Sequence, residues 1–182
     1  MNLRLAGTVT DSLVDGPGIR FTLFAQGCPL SCPGCHNLEA ADPRGGVEIS
    51  LLELRNQIRA ARGIDGVTFS GGEPFYQAEP LAVLGEEINR MGLNLVIYSG
   101  YSFEELLEKS RHERGVARLL AVGWLLIEGP YRQEERDISL PFRGSKNQRI
   151  LDLPRSLKLN RAVIWDGNPG VAPGRTTSYS RR

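Results

Sequence analysis

The sequence predicts an α/β protein on a parallel sheet. Short apolar segments of strand length alternate with segments of helical period, and the strand-like segments run into loops rich in glycine, serine or cysteine. A chain of 182 residues suits one domain with a single core. Alternation of this kind implies right-handed βαβ units, with function gathered at the carboxyl ends of the strands.

The elements follow in order. Residues 19–24 read as a strand that leads into a cysteine loop. Residues 50–62 read as a helix, because Leu51, Leu54, Ile58 and Ala61 recur at spacings of 3, 4 and 3, and Ser50 with Glu53 suggests a capping box. Residues 66–70 form a second strand, ending in Gly71-Gly72-Glu73-Pro74. A second helix over 78–91 repeats the same spacing through Leu81, Leu84, Ile88 and Met91, with Gly92 as its stop. A third strand over 93–98 precedes Ser99-Gly100-Tyr101. Ser102 and Glu105 then cap a third helix. Further strands are expected near 122–127, 148–153 and 162–165. Residues 1–166 are thus read as the domain. Residues 167–182, rich in proline, glycine, serine and arginine, are read as a disordered tail.

Composition excludes some functions. Hydrophobic residues make up 41% and charged residues 24%, with 22 basic against 21 acidic side chains and a net charge of +1. Nothing there marks nucleic acid or an anionic membrane as the main partner. No apolar run approaches the ~18 residues that span a bilayer, and the start lacks the charged and apolar regions of a signal peptide. The expected compartment is the cytoplasm, where thiols stay reduced.

The three cysteines are the most informative residues. All lie between positions 28 and 35, as Cys28-Pro-Leu-Ser-Cys32-Pro-Gly-Cys35-His36. An odd, clustered count argues against disulfides and for a metal. Three thiolates can wrap one side of a four-iron cluster, whose ordinary complement is four cysteines, one per iron. The missing fourth leaves an open coordination site, as catalytic centres have. Zinc with His36 as fourth ligand, haem attachment through Cys32-x-x-Cys35-His36, and an unligated turn are the alternatives on the loop alone. Elsewhere, Gly71 and Gly72 have no Cβ and admit close backbone approach. Glu73 offers an acceptor to an ammonium group. Ser99 and Gly100 end the next strand on the same rim. Plain turns are the competing reading of both segments.

The residues around the loop resemble a known family. Val14-Asp15-Gly16-Pro17-Gly18-Ile19-Arg20, Gln26-Gly27-Cys28 and Cys35-His36-Asn37 resemble the opening of the radical S-adenosylmethionine (SAM) activases of glycyl radical enzymes. The run Pro141-Phe-Arg-Gly-Ser-Lys-Asn-Gln-Arg-Ile150 resembles one branch, the activating proteins of the anaerobic, class III ribonucleotide reductase. The resemblance covers about residues 1–165 and implies a partial (β/α) barrel. It also implies a 4Fe–4S cluster on Cys28, Cys32 and Cys35, and SAM on the open iron. Gly71, Gly72, Glu73, Pro74, Ser99 and Gly100 are the expected SAM contacts. No catalytic side chain is expected beyond the cluster and SAM, since the cofactor performs the bond cleavage. Asp15, Arg20, Arg143, Lys146 and Arg149 are expected at the substrate or partner. The implied partners are a glycyl radical enzyme, namely the anaerobic ribonucleotide reductase, and a reduced flavodoxin or ferredoxin as electron donor, with no nucleic acid or membrane. The run Gly123–Glu128 departs from the aspartate-bearing strand common in that branch. A small-molecule radical SAM enzyme of deazapurine type, and a non-catalytic metal-binding or electron-transfer module, are the competing functions.

Overall fold

The computed structural model describes residues 1–35 and 37–167, so the expected tail, apart from Gly167, lies outside the described residues. Strands β1 (Asn2–Ser12), β2 (Arg20–Ala25), β3 (Val47–Ser50), β4 (Gly66–Gly71), β5 (Asn94–Ser99), β6 (Leu125–Glu128) and β7 (Arg149–Asp152) form one sheet in the order β3-β1-β2-β4-β5-β6-β7. The fold class is α/β, as expected. The middle four strands, β2, β4, β5 and β6, run parallel. Both margins differ from expectation, since β1 pairs antiparallel with β2 and β3, and β7 pairs antiparallel with β6. The residues of the expected strand at 162–165 make a single bridge, Ile164 to Leu151.

Helices α1 (Leu51–Ala60), α2 (Ala78–Arg90), α3 (Phe103–Ser110), α4 (Arg114–Val122) and α5 (Leu153–Leu159) join them, with short 3-10 turns between. Ser50 accepts from the Glu53 N–H, which is half of the expected box. At α3 both halves form. Leu81, Leu84 and Ile88 of α2 are fully buried, and each such side chain stabilises by roughly 2 kcal/mol.

Alternation along the strands sorts the two faces. Phe21, Leu23, Val67, Phe69, Leu95 and Ile97 join the helices in the main core. The opposite face carries Arg20, Thr22 and Thr68, then a smaller cluster of Val96, Leu125 and Ile127 packed with Tyr98, Trp124, Phe142, Ile150 and Trp165. Among the described residues no helix is long and apolar enough to cross a membrane.

Candidate active site

A cavity of about 660 Å3 opens at the carboxyl ends of the parallel strands, on the face away from the helices. Its wall includes Cys28, Cys32 and Cys35, then Ser70 to Glu73, then Tyr98 to Gly100, and the segment from Ile138 to Gly144. The three segments placed on one rim by the sequence therefore meet around one space.

The cysteine loop is built from its ends. The Gly27 N–H donates to the Ala40 carbonyl at 2.7 Å and the Cys28 N–H to the Ala41 carbonyl at 3.0 Å. Gln26 donates its side-chain amide to the carbonyls of Glu39 and Asp42, while Asn37 donates to the Gly71 carbonyl. Ser31 at φ 41° and Gly34 at φ 73° turn the chain between the thiols. All three cysteines are half-buried. Burial raises the Cys28 thiol above its ordinary range, and Glu73 and the neighbouring cysteines add to the rise.

Gly71 and Gly72 line the cavity, but their need for glycine comes from the protein itself. A Cβ on Gly71, at φ 100°, would stand 2.5 Å from the Ala25 nitrogen, and one on Gly72 would stand 2.5 Å from the Gly27 carbonyl oxygen. The close approach is that of β4 to the end of β2 and the root of the cysteine loop. Pro74 lies buried at the start of the 3-10 turn Pro74–Gln77 and is not part of the cavity wall.

Glu73 is fully buried. One oxygen accepts from the Phe75 N–H at 3.0 Å, the other from the Gly100 N–H at 2.9 Å, and the Ser99 hydroxyl reaches both. The carboxylate thus clamps the end of β5 to the end of β4. Three donors on roughly four lone-pair positions leave about one for a ligand. Leu30 of the cysteine loop lies over Gly100, where any Cβ would collide with it. The clamp is thereby tied to the thiol loop.

The residues expected at the partner divide into two groups. Asp15, Arg143 and Lys146 are available to a ligand or partner: Asp15 and Arg143 line the cavity, and Lys146 is exposed beside Asp137. Arg20 and Arg149 act internally. Arg20 is fully buried and donates to Thr68 Oγ1, to the carbonyls of Pro17, Val67 and Asn94, and to Asn94 Oδ1. Burial lowers its pKa to about 10. Arg149 pairs with the buried Glu128 and, at 2.7 Å, with Glu104, fastening β7 to β6 and to α3. Sequence reasoning quoted Gln26 without giving it a task and missed Gln77. Gln77 accepts from the Arg4 N–H and donates to the carbonyls of Arg4 and Gln26, which holds β1 against the root of the loop. Gln26 and Gln77 look like ordinary surface polar residues until β1 is recognised as a strand.

A family model described as "4Fe-4S single cluster domain" matches residues 14–151. The anaerobic ribonucleoside-triphosphate reductase-activating protein of Escherichia coli K12 is 31% identical over 149 residues, spanning 76% of this chain and 91% of the relative. The chain belongs to this family of radical SAM activases. The protein of the same name from Haemophilus influenzae is 31% identical over 146 residues, 76% of this chain and 90% of its own. Pyruvate formate-lyase 1-activating enzyme of E. coli K12 is 29% identical over 84% of this chain, and this chain spans 61% of its length. A crystal structure of QueE from E. coli aligns over 55% of this chain and 53% of its own, at TM-score 0.47 and 17% identity.

The cofactors of this activase are a 4Fe–4S cluster and SAM, and the chain's own residues fit them. The three thiols share the wall of one cavity with Glu73, Ser99 and Gly100, which is the chemistry of donor set that such a cluster and a bound SAM need. His36, the fourth ligand of the zinc alternative, lies outside the described residues.

Glu73 gives the site a pH signature. Burial raises its carboxyl to about 7 from an ordinary 4.5. Between those values the folded state holds a proton that the unfolded chain has released. This contribution to stability is therefore full below about pH 4.5 and lost as pH rises through about 7. Denaturant midpoints of the cluster-free protein should show wild type losing ground to Glu73→Gln between pH 5 and pH 8, by on the order of 3 kcal/mol. Parallel pH curves for the two proteins would refute the assignment.

Proposed function

We propose that the chain generates a glycyl radical on anaerobic ribonucleoside-triphosphate reductase, in the cytoplasm, with a reduced flavodoxin or ferredoxin supplying the electron. When bound, the cluster and SAM would supply one-electron cleavage of the sulfonium and removal of a hydrogen atom from a glycine Cα, with methionine, 5′-deoxyadenosine and the glycyl radical as products. The observation that carries the reading is the shared wall: the thiol loop, the Glu73 clamp and the Pro141–Ile150 run border one cavity open to solvent.

The residues have distinct tasks in this proposal. Cys28, Cys32 and Cys35 hold three irons. Gly71 and Gly72 let β4 meet the thiol loop, and Glu73, Ser99 and Gly100 orient the methionine portion of SAM. An ammonium at the last acceptor position of Glu73 favours the ionised carboxylate against the cost of burial. Leu13, Val14 and Ile138 stand at the cavity wall, exposed at 70%, 74% and 88%. Such an apolar rim suits a protein segment rather than a small polar molecule. Asp15 and Lys146 flank it with opposite charges.

The test is anaerobic incubation of the reconstituted protein with SAM, a reductant and the reductase of the same organism. The expected result is the electron paramagnetic resonance signal of a carbon radical, with a splitting that collapses when the partner carries Cα-deuterated glycine. A radical on pyruvate formate-lyase and none on the reductase would overturn the choice of partner.

A further inference from the structure

The cavity wall holds one positive side chain among its described residues, Arg143, alongside Asp15, Glu73 and the three thiols. Arg143 donates through one terminal nitrogen to the Gln148 carbonyl at 3.1 Å. Its Nε is buried and has no hydrogen-bond partner. A buried donor left unpaired is costly, and among the described residues Arg143 Nε is the one such atom whose residue lines the cavity, where a ligand can complete it. The backbone presenting it is firmly set. Gln148 accepts from the N–H groups of Gly144 and Ser145 and donates to the Gly129 carbonyl. The Tyr98 hydroxyl donates to the carbonyl of Phe142, a residue held at φ 60°. A guanidinium on such a support is a docking fork for a planar anion.

We propose that Arg143 receives the α-carboxylate of SAM. The inference rests on SAM binding in this cavity, and it moves Arg143 from the partner's side of the reading to the cofactor's. SAM brings one carboxylate into a space already lined by Asp15, Glu73 and the three cysteines, and Arg143 is the cation on that wall that offsets it. The orphaned Nε must be satisfied in the resident complex, which favours the cofactor over a partner segment that visits and leaves.

The experiment compares SAM with decarboxylated SAM, which keeps the amine and sulfonium and lacks the carboxylate. Affinities are measured by anaerobic equilibrium dialysis on cluster-loaded wild type, Arg143→Met and Arg143→Lys. The preference for SAM should fall about 10- to 100-fold in Arg143→Met, with partial recovery in Arg143→Lys. Taking the ratio of the two ligands removes any general damage to the cavity, and Arg143→Lys serves alone if the methionine variant fails to fold. An unchanged ratio would overturn the proposal while leaving the activase reading intact. Wild type that binds neither ligand would overturn both.

Discussion

Alanine at Cys35 is expected to leave a folded protein that forms no 5′-deoxyadenosine. Cys35 is half-buried on the cavity wall and outside both apolar clusters. Its backbone N–H, which donates to the Cys32 carbonyl at 3.2 Å, survives the change. Folding stability should therefore move by no more than about 1 kcal/mol. The chemistry is expected to fail entirely, because the proposed cluster takes all three thiolates and the sequence has no fourth cysteine to substitute. Anaerobic reconstitution, iron and sulfide counts, and product assay on wild type and Cys35→Ala check this directly. Wild-type turnover by the variant, or uptake of zinc with no cluster by wild type, would sink the central reading.

Arg20→Met is expected to lower stability by on the order of 3–5 kcal/mol. Methionine fills much of the same volume but donates nothing. It withdraws the guanidinium's donors from Thr68 Oγ1, Asn94 Oδ1 and the Pro17, Val67 and Asn94 carbonyls, leaving Thr68 only its bond to the Asp15 carbonyl. For a chain of this size that loss corresponds to a melting point lower by roughly 10 °C. Thermal unfolding of the two proteins measures it. If Arg20 served a partner, the melting point would hold and only activation would fall, so the measurement separates the sequence expectation from the buried role.

The parallel middle of the sheet was legible because β4 and β5 are short apolar runs bounded by glycine, and because α2 keeps one apolar stripe. The margins were hidden for physical reasons. Along β1 only Leu3, Leu5 and Ser12 turn inward, and the pairing slips between Leu5 and Gly7, so strict alternation is lost. The helix α4 was hidden as well, because it runs from Val116, Leu119 and Leu120 almost directly into Trp124 and β6, and the two periods merge in one apolar stretch. At the site, spacing singled out the thiols and Gly71-Gly72-Glu73 as candidates, and they border one cavity. Spacing could not say that both glycines yield to β2 and the loop, nor that Glu73 spends most of its acceptors on the protein. An arginine such as Arg20 carries no mark in sequence of whether it faces solvent or the interior.

The anchoring of the thiol loop at Gly27, Cys28 and Asn37 bears on how the cluster comes and goes. In a small zinc module the metal closes the loop, so binding and folding are one event and the metal-free chain is unfolded. Here backbone and amide hydrogen bonds from the protein itself hold both ends of the loop. The entropy of closure is met by the scaffold. The fold is therefore expected to outlast removal of the cluster, so that loss of metal interrupts activity and leaves a chain that can be reloaded.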